Sequence, residues 1–256
     1  MKQFEAEVLE NRVIAEPWRE LRLSWDASAG LPRPGQFFTL RVSSFSDPLL
    51  RRPFAFSAFD GARSRVAAIY QIRGGATRLL SEMASGSAID VLGPLGRPFP
   101  EPREGERPVL AGGGIGLGPL LYLAQSLFAA GRAPLLVLGV RSASRMPSIA
   151  LPEGSVVCTD DGSSGFEGTP VDWIAHNLPP GRARLYGCGP LPMLAALAAL
   201  AAERGWAASL SAEQWMACGV GACMGCALPR ADGSGYVRAC ADGPVFEAAE
   251  IDWRRR

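Results

Sequence analysis

Four cysteines in the last quarter of the chain have the spacing of an iron–sulfur site. Cys218, Cys223 and Cys226 read C-x4-C-x2-C, and Cys240 follows further along the chain. With this spacing four thiolates hold a plant-type 2Fe–2S cluster. The loop from 216 to 228 contains no charged side chain, and its glycines allow tight backbone turns. The pattern therefore predicts one-electron chemistry at a 2Fe–2S cluster.

Two other interpretations of the cysteines remain open. A structural zinc site usually takes its thiolates from two separate short knuckles, whereas three of these cysteines share one loop. Disulfides are typical of secreted proteins, but Lys2, Glu5 and Glu7 lie where a secretion signal needs an apolar run. We therefore expect a cytoplasmic protein with a cluster, and we interpret Cys158 as a thiol in the core of a strand.

Two glycine-rich turns each follow an apolar strand and precede a helix, which predicts a nucleotide site. In a doubly wound sheet both turns fall at the carboxyl edge, where a pyrophosphate can approach the free N–H groups of a helix. A third strand ends at Asp160, a candidate ribose contact, and no arginine pair is placed for a 2′-phosphate, which favours NAD. Alternatively, the glycines only let helices pack closely on strands, and Asp160 caps a loop. The turn residues are Gly112, Gly113, Gly114, Gly116, Cys188, Gly189 and Pro190.

Two neighbouring arginines, Arg51 and Arg52, stand in an apolar stretch and form a candidate anion site. Arginine binds phosphate through paired hydrogen bonds. Pro53 stiffens the turn that follows, and Phe54 and Phe56 offer aromatic faces to a flat ligand. The alternative is an ordinary edge strand with solvated arginines.

The first hundred residues read as short strands separated by turns. A single helix is expected at 77–83, after a Gly-Gly pair. The other segments alternate apolar and polar residues and are bounded by glycine and proline, which predicts an antiparallel β-barrel. These segments are 4–9, 19–25, 37–42 and 66–72.

Beyond the proline-rich stretch at 100–108, buried apolar runs alternate with helical segments, which is typical of βαβ units and a parallel sheet. A hairpin between residues 227 and 239 is expected to bring Cys240 back beside the cysteine loop. The fold class is therefore α+β and multidomain. It comprises an antiparallel β-barrel at 1–100, an α/β domain at 101–208 and a small cluster domain at 209–256.

Composition excludes several classes of function. The net charge of +1 over 256 residues implies no general attraction to nucleic acid or to an anionic membrane. His176 is the only histidine, so catalytic triads and metal sites built on imidazoles are not supported.

Together these segments resemble the iron–sulfur and flavin electron-transfer subunits of NAD-dependent, type B dihydroorotate dehydrogenase, in the ferredoxin reductase superfamily. The resemblance covers nearly the whole chain and keeps the order barrel, NAD domain, cluster domain. Its most specific part is the run 216–226 followed by 240–246. The segments 50–53, 93–96, 112–116 and 188–190 also match.

The resemblance implies an FAD site on the barrel. Ala55 stands where the family's Arg-Pro-x-Ser motif has serine, so either Ser57 takes that place or the contact is made by backbone. Ala76 replaces the second glycine of a Gly-x-Gly-Thr phosphate motif. The implied flavin contacts are Arg52, Pro53, Phe54, Ala55, Ser57, Ile69, Tyr70, Gln71, Gly74, Ala76 and Thr77.

The resemblance also implies a relay. A catalytic partner that carries FMN oxidises dihydroorotate, and electrons pass singly to the 2Fe–2S cluster, then to FAD, and leave as a hydride to NAD+. Cys188 falls near the nicotinamide, where it helps to position the ring; alternatively it is a small buried residue. Two copies of each subunit are expected.

Two other classes stay open at this stage. The first is a flavin and iron–sulfur NAD(P)H reductase subunit of another complex, of the hydrogenase, sulfite reductase or transhydrogenase type. The second is a binding or redox-sensing module that keeps the fold without turnover.

Overall fold

The computed structural model describes residues 1–43, 47–179 and 181–254, which form two seven-stranded sheets and one two-stranded sheet. The first sheet comes from the N-terminal part of the chain. Its strands are β1 (Lys2–Ala15), β2 (Trp18–Ser24), β3 (Phe37–Arg41), β4 (Arg52–Ala55), β5 (Ala58–Asp60), β6 (Arg65–Gln71) and β7 (Ala88–Leu95).

The first sheet is an antiparallel barrel. Its strand order is β4-β3-β7-β1-β2-β6-β5, and each neighbouring pair is antiparallel. Strands β4 and β5 lie at opposite edges although only residues 56 and 57 separate them, so the sheet must curl until its edges meet. The two residues between the strands join these edges, because the Phe56 amide donates to the Gln36 carbonyl next to β3 over 3.3 Å and the Ser57 amide donates to the Ala67 carbonyl of β6 over 2.8 Å. The barrel expected from the alternating pattern is thus confirmed.

Aromatic rings fill the barrel. Phe56 lies 4.8 Å from Phe38 and 5.2 Å from Trp25 between ring centroids, distances at which ring pairs attract. Because successive residues of a strand face opposite sides, Phe38 points into this core while Phe37 and Thr39 face outwards. The outer face of β3 therefore has to be covered by the rest of the chain.

 The second sheet is parallel except at one edge, because helices or longer connections join most of its strands. Its order is β11-β10-β9-β8-β12-β13-β16, and only the last strand runs antiparallel to its neighbour. The strands that follow β7 are β8 (Arg107–Gly113), β9 (Leu135–Val140), β10 (Val156–Thr159), β11 (Phe166–Glu167), β12 (Ala183–Cys188), β13 (Ala207–Ser211), β14 (Ala227–Pro229), β15 (Tyr236–Arg238) and β16 (Val245–Glu247).

Four α-helices accompany the two sheets in the described part of the chain. The first, α1, stands between β6 and β7 of the barrel, and the other three flank the parallel sheet. They are α1 (Gly75–Ser81), α2 (Leu117–Ala129), α3 (Pro170–Asn177) and α4 (Leu191–Arg204). None of the described helices is long and apolar enough to cross a membrane.

The order of the parallel strands changes direction between β8 and β12. After β8 the chain moves outwards through β9 and β10, and it then returns to β12 on the other side of β8. The carboxyl ends of β8 and β12 therefore flank the switch point at which open α/β sheets bind ligands.

The cysteine segment is attached to the parallel sheet at both ends. It leaves β13, forms the expected hairpin of β14 and β15, and returns as β16, which pairs with β13. A domain boundary between residues 208 and 209 falls inside β13, so a boundary after Ser211 agrees better with the strand pairing. The three-part division of the chain stays a prediction.

Candidate redox site

The four cysteine sulfurs lie in two pairs. The Sγ atoms of Cys226 and Cys240 are 3.2 Å apart, and the thiols of Cys218 and Cys223 are within hydrogen-bonding reach of each other. The hairpin of β14 and β15 brings Cys240 beside Cys226, as the sequence predicted. Each iron of a four-thiolate 2Fe–2S cluster takes two of the thiolates, so two sulfur pairs fit this group.

Backbone amides surround the sulfurs. The Cys218 sulfur accepts from the amides of Val220 and Ala222 at 3.5 and 3.3 Å. Cys223, Cys226 and Cys240 each accept one amide, at 3.4, 3.4 and 3.1 Å. Such hydrogen bonds stabilise thiolates and the sulfurs of a cluster. The donor set therefore fits an anionic iron–sulfur group.

The pKa of Cys218 reflects this arrangement. Burial raises the pKa of the thiol, but the amides of Val220 and Ala222 and the contact with Cys223 outweigh burial and bring the pKa to about 6. Within the described residues, no group of three or more His, Cys, Asp or Glu side chains converges to chelate a single metal ion. The zinc alternative is disfavoured by the positions of the sulfurs, which lie in two pairs, one for each iron of a two-iron group.

Arg238 holds the cysteine loop in shape, a role that no sequence motif indicated. Its guanidinium donates to the Gly221 carbonyl at 2.7 Å and pairs with Asp242 at 3.0 Å. Because Gly221 donates its amide to the Cys240 sulfur, Arg238 orients a group that contacts a predicted ligand.

The cysteine loop lies against the outer face of the barrel. Phe37 and Leu95 share one apolar core with Cys226 and Cys240. A Cβ at Gly219 would lie 3.2 Å from the Thr39 methyl, so the loop touches β3 directly. A cleft of about 230 Å3 opens beside this contact and is lined in part by Arg97, Val220 and Cys240. A cluster here would sit at the junction of barrel and loop.

The two arginines of the predicted anion site have different surroundings. Arg51 pairs with Asp90 at 2.6 Å. The Arg52 guanidinium donates to the Leu50 carbonyl and has no carboxylate partner among the described residues. Arg52 is therefore the arginine whose charge is available to an anion such as a flavin phosphate.

The candidate flavin residues of β4 and β6 divide between the two faces of the barrel. Phe54 and Tyr70 point inwards, with ring centroids 5.9 Å apart, and the Tyr70 hydroxyl donates to the side chain of Asn11. The aromatic faces expected at Phe54 and Phe56 are thus turned into the barrel core, so Phe54 stays a candidate through its backbone. Ala55 is half-buried beside them.

Ser57 and Ile69 face the parallel sheet instead. Both lie within 3.7 Å of where a Cβ at Gly118, in the first turn of α2, would stand. Ser57 is buried at this contact. The barrel strands with the predicted flavin contacts therefore meet the helix that follows the first glycine turn, as transfer between two cofactors requires.

The predicted phosphate motif lies at the start of α1. Gly74 has open space around it, while Ala76 is buried in the first turn. The Thr77 hydroxyl accepts the amides of Arg73 and Gly74 at 2.9 and 3.1 Å. Thr77 therefore caps its own helix, and Arg73 also binds the Gln71 side chain. Pro53 faces outwards on β4, opposite Thr39.

The two glycine turns touch each other at the switch point. A Cβ at Gly116 would lie 2.0 Å from the Cys188 carbonyl oxygen, and one at Gly113 would lie 2.8 Å from Pro190. Close packing therefore explains Gly113, Gly116 and Gly189, of which the last lies against Gly113. Gly114 differs, because a Cβ there would meet open space.

The remaining candidates lie around this edge. Gly112 is the last residue but one of β8 and lies beneath α2, against Leu120. Asp160 is exposed after β10, two strand spacings or about 10 Å from β8. Cys188 is half-buried, and burial raises the pKa of its thiol to about 12. It is therefore a neutral thiol at neutral pH, suited to packing or positioning and not to nucleophilic attack.

A family model matches the cysteine segment. The model describes the iron-sulfur cluster binding domain of dihydroorotate dehydrogenase B, and it covers residues 213–252. This range contains all four cysteines of the predicted cluster.

Curated proteins match nearly the whole chain. The Bacillus caldolyticus protein named dihydroorotate dehydrogenase B (NAD(+)), electron transfer subunit, is 40% identical over 95% of this chain and 96% of its own length. The Listeria monocytogenes protein of the same name is 38% identical over 98% of this chain and 99% of its own.

Solved structures show the same architecture. A chain from the structure of an NADH-dependent reduced ferredoxin-NADP oxidoreductase, studied for flavin-based electron bifurcation, has a TM-score of 0.83 and 27% identity. It matches 97% of this chain over 90% of its own length. A Neisseria gonorrhoeae ferredoxin NADP+ reductase with bound FAD and NADP has a TM-score of 0.66 at 18% identity and supports the fold alone.

Proposed function

The chain belongs to the family of NAD+-dependent dihydroorotate dehydrogenase B electron-transfer subunits, and from this premise we propose that it carries electrons from a catalytic partner to NAD+. It is the flavin and iron–sulfur component of an oxidoreductase, with FAD, a 2Fe–2S cluster and NAD+ as its redox groups. The observation that carries the proposal is the position of the cysteine loop, which contacts the barrel at Thr39 and shares an apolar core with Phe37.

When bound, the cluster exchanges single electrons, and the flavin links one-electron transfer to hydride transfer with NAD+. The residues of the chain hold, orient and shield these groups. Four cysteines and the amides around them would hold the cluster, and Phe37 and Leu95, which share an apolar core with Cys226 and Cys240, would help to exclude water from it. Arg52 would bind a flavin phosphate, and the open space at Gly114 would let a pyrophosphate approach the start of α2.

We propose that the partner carries FMN and that two copies of each subunit assemble. The face on which the partner docks is the exposed side of the cysteine loop. Trp215, Val220 and Met224 are exposed there by 91%, 43% and 50%, beside the exposed Cys223. Large apolar side chains grouped on a surface are typical of protein interfaces.

Co-purification tests this docking face. Trp215→Ala should weaken recovery of the catalytic subunit with the tagged chain, because exposed tryptophans often dominate binding energy. Phe128→Ala removes another exposed ring, on the distant helix α2, and should leave recovery unchanged. Equal recovery with both variants would place the interface elsewhere.

We propose the cytoplasm as the compartment. None of the six cysteines, all of which lie within the described residues, forms a disulfide in the structure. Disulfides are typical of oxidising compartments, whereas cysteines without them are typical of the cytoplasm.

The decisive experiment combines composition with activity. The chain and the catalytic subunit are expressed together without oxygen, and the complex is assayed for reduction of NAD+ by dihydroorotate. We expect two irons and two acid-labile sulfides per chain, one FAD, and turnover that requires both subunits. Zinc without acid-labile sulfide, or a complex inactive with dihydroorotate, would contradict the proposal.

A second candidate is a reductase subunit of a different redox complex. The likeness to an NADH-dependent reduced ferredoxin-NADP oxidoreductase supports it. Identity of 40% to dihydroorotate dehydrogenase subunits against 27% to that protein favours the first candidate. A partner that lacks FMN and dihydroorotate activity would favour the second.

A further inference from the structure

Thr39 carries a buried hydroxyl that has no hydrogen-bond partner. The side chain is 2% exposed, and its Oγ1 is one of the few buried polar side-chain atoms without a partner in the described part of the chain. Leaving such a group unpaired is costly, so native proteins usually give it an acceptor. A valine would fill the same space without that cost, which points to a use for the hydroxyl.

The hydroxyl lies between the barrel and the cysteine loop. Thr39 pairs with Pro53 on one side and with Leu92 on the other, in the middle of the sheet. It faces outwards with Phe37, which shares its apolar core with Cys226 and Cys240. The Thr39 methyl touches Gly219, the residue after Cys218.

Gly219 makes this approach feasible. Its φ is +69°, and a Cβ would stand 3.2 Å from the Thr39 methyl, so both conformation and space favour glycine. The loop is thereby held against β3, next to the first predicted ligand. All four predicted ligands receive hydrogen bonds from amides of the cysteine segment itself. On the side that faces the barrel, the unpartnered polar atom next to this loop is the Thr39 hydroxyl.

We propose that the Thr39 hydroxyl donates a hydrogen bond to a sulfur of the 2Fe–2S cluster and raises its reduction potential. The inference rests on the proposed function, because it requires the cluster. Reduction adds negative charge to the sulfurs, and a hydrogen bond stabilises the more negative state more strongly. Thr39, a residue of the barrel, thereby adjusts the reduction potential of the cluster.

The test is the cluster potential of the purified holoprotein, measured by a redox titration followed by electron paramagnetic resonance. Thr39→Val keeps the shape and removes the hydroxyl. We expect a shift of about tenfold in the reduction equilibrium, which for one electron lowers the potential by about 59 mV. Thr39→Ser keeps the hydroxyl and should restore the wild-type potential, an effect that packing alone would not produce.

Thr159→Val is the matched control. It removes another buried hydroxyl, one that donates to the Ser164 carbonyl on the far side of the parallel sheet. The cluster potential should not change. If Thr39→Val does not retain its cluster, Thr39→Ala and Thr39→Ser form the second pair, because both are small and differ in the hydroxyl.

Two results would overturn the inference. The cluster potential of Thr39→Val could equal that of the wild type, or the flavin absorption and potential could shift while the cluster stays unchanged, which would assign the hydroxyl to the flavin. A wild-type protein without any cluster would contradict the proposed function itself, so the two failures are distinguishable.

Discussion

Gly116 is the glycine at which an added Cβ would meet the closest neighbouring atom. A Cβ there would stand 2.0 Å from the carbonyl oxygen of Cys188, a backbone atom that cannot rotate away. The two glycine turns are therefore in contact because position 116 has no side chain. This contact sets the shape of the switch point at which NAD+ is proposed to bind.

Gly116→Ala should push the turns apart, weaken NAD+ binding and destabilise the protein by about 1–3 kcal/mol, as overpacking typically does. Gly118→Ala is the control, because its Cβ would make ordinary contacts of 3.6 and 3.7 Å with Ser57 and Ile69. Urea unfolding and NAD+ titration measure both effects. Equal behaviour of the two variants would show that the turns can separate freely.

Sequence alone could predict the cluster ligands but not all of their surroundings. The cysteines are recognisable because a loop and a hairpin place them, and both are local in the chain. Thr39 and Gly219 are 180 positions apart, and only the folded chain brings them together. Arg238 likewise acts through Gly221, a contact that its neighbours in sequence do not indicate.

At the scale of elements, the bounds of short segments were what the sequence analysis did not predict. Helix α3 follows its N-cap Thr169, and the side chains of Thr169 and Asp172 each accept the other's backbone amide in a capping box. This signal was present in the sequence. Strand β16 has three residues, too few for a period, and its pairing with β13 is decided by tertiary structure.

Because the cap of α3 contains the carboxylate of Asp172, we expect the free energy of unfolding to depend on pH. Hydrogen bonds from the hydroxyl and amide of Thr169 hold the pKa of Asp172 below its ordinary value of 3.8. Because the folded-state pKa is the lower one, the carboxylate stabilises the fold above about pH 4, and this stability is lost as pH falls through the lowered pKa. Asp172→Asn should therefore be less stable than the wild type at pH 7, and the difference should disappear in acid.

Thermal unfolding of both proteins from pH 7 to pH 3 measures this difference. The cluster is sensitive to acid in both proteins. Only the difference between their unfolding temperatures therefore measures the contribution of Asp172. Glu153→Gln, which removes an exposed carboxylate from a loop, should not differ from the wild type in this way. If the difference in unfolding temperature between Asp172→Asn and the wild type stayed constant with pH, the predicted role of the Asp172 carboxylate in the cap would be contradicted.

Strand β16 is secured by Arg184. This buried guanidinium donates to Ser209 at 2.7 Å and pairs with Glu247 of β16. Glu247→Ala should cost about 1–3 kcal/mol, because it removes a charged hydrogen-bond partner from a buried group. The variant should also lose its cluster at lower temperature, since β16 anchors the cysteine segment.

Glu250→Ala, three positions further along at an exposed site, is the control for Glu247→Ala. Urea unfolding and the visible absorption of the cluster on heating are the measurements. If both variants behaved like the wild type, the Arg184 pair would have no part in holding the cysteine segment.

At the scale of the whole molecule, the parts meet in an order that suits a relay. The cysteine loop touches the barrel at Thr39, and the barrel touches α2 of the parallel sheet at Ser57 and Ile69. These two contacts involve different parts of the barrel. Sequence predicted which parts exist, because each has its own periodicity, but not these contacts between them.

Removing the cluster should break the relay at one step. Cys226→Ser, at a buried predicted ligand, should abolish NAD+ reduction by dihydroorotate in the complex, while reduction of a dye by NADH continues through the flavin. Cys158→Ala changes a buried thiol away from the cysteine loop and should retain both activities. Steady-state assays of both reactions check this, and persistent dihydroorotate-dependent NAD+ reduction in Cys226→Ser would contradict the relay.

The outward-facing apolar side chains of β3 and β7 have a consequence for where the chain can be cut. Phe37 and Leu95 are buried within the core that they share with the cysteine segment. A fragment ending after Ser211 would present them to water and would tend to self-associate. A soluble two-domain reductase engineered from this protein would therefore need polar replacements at both positions.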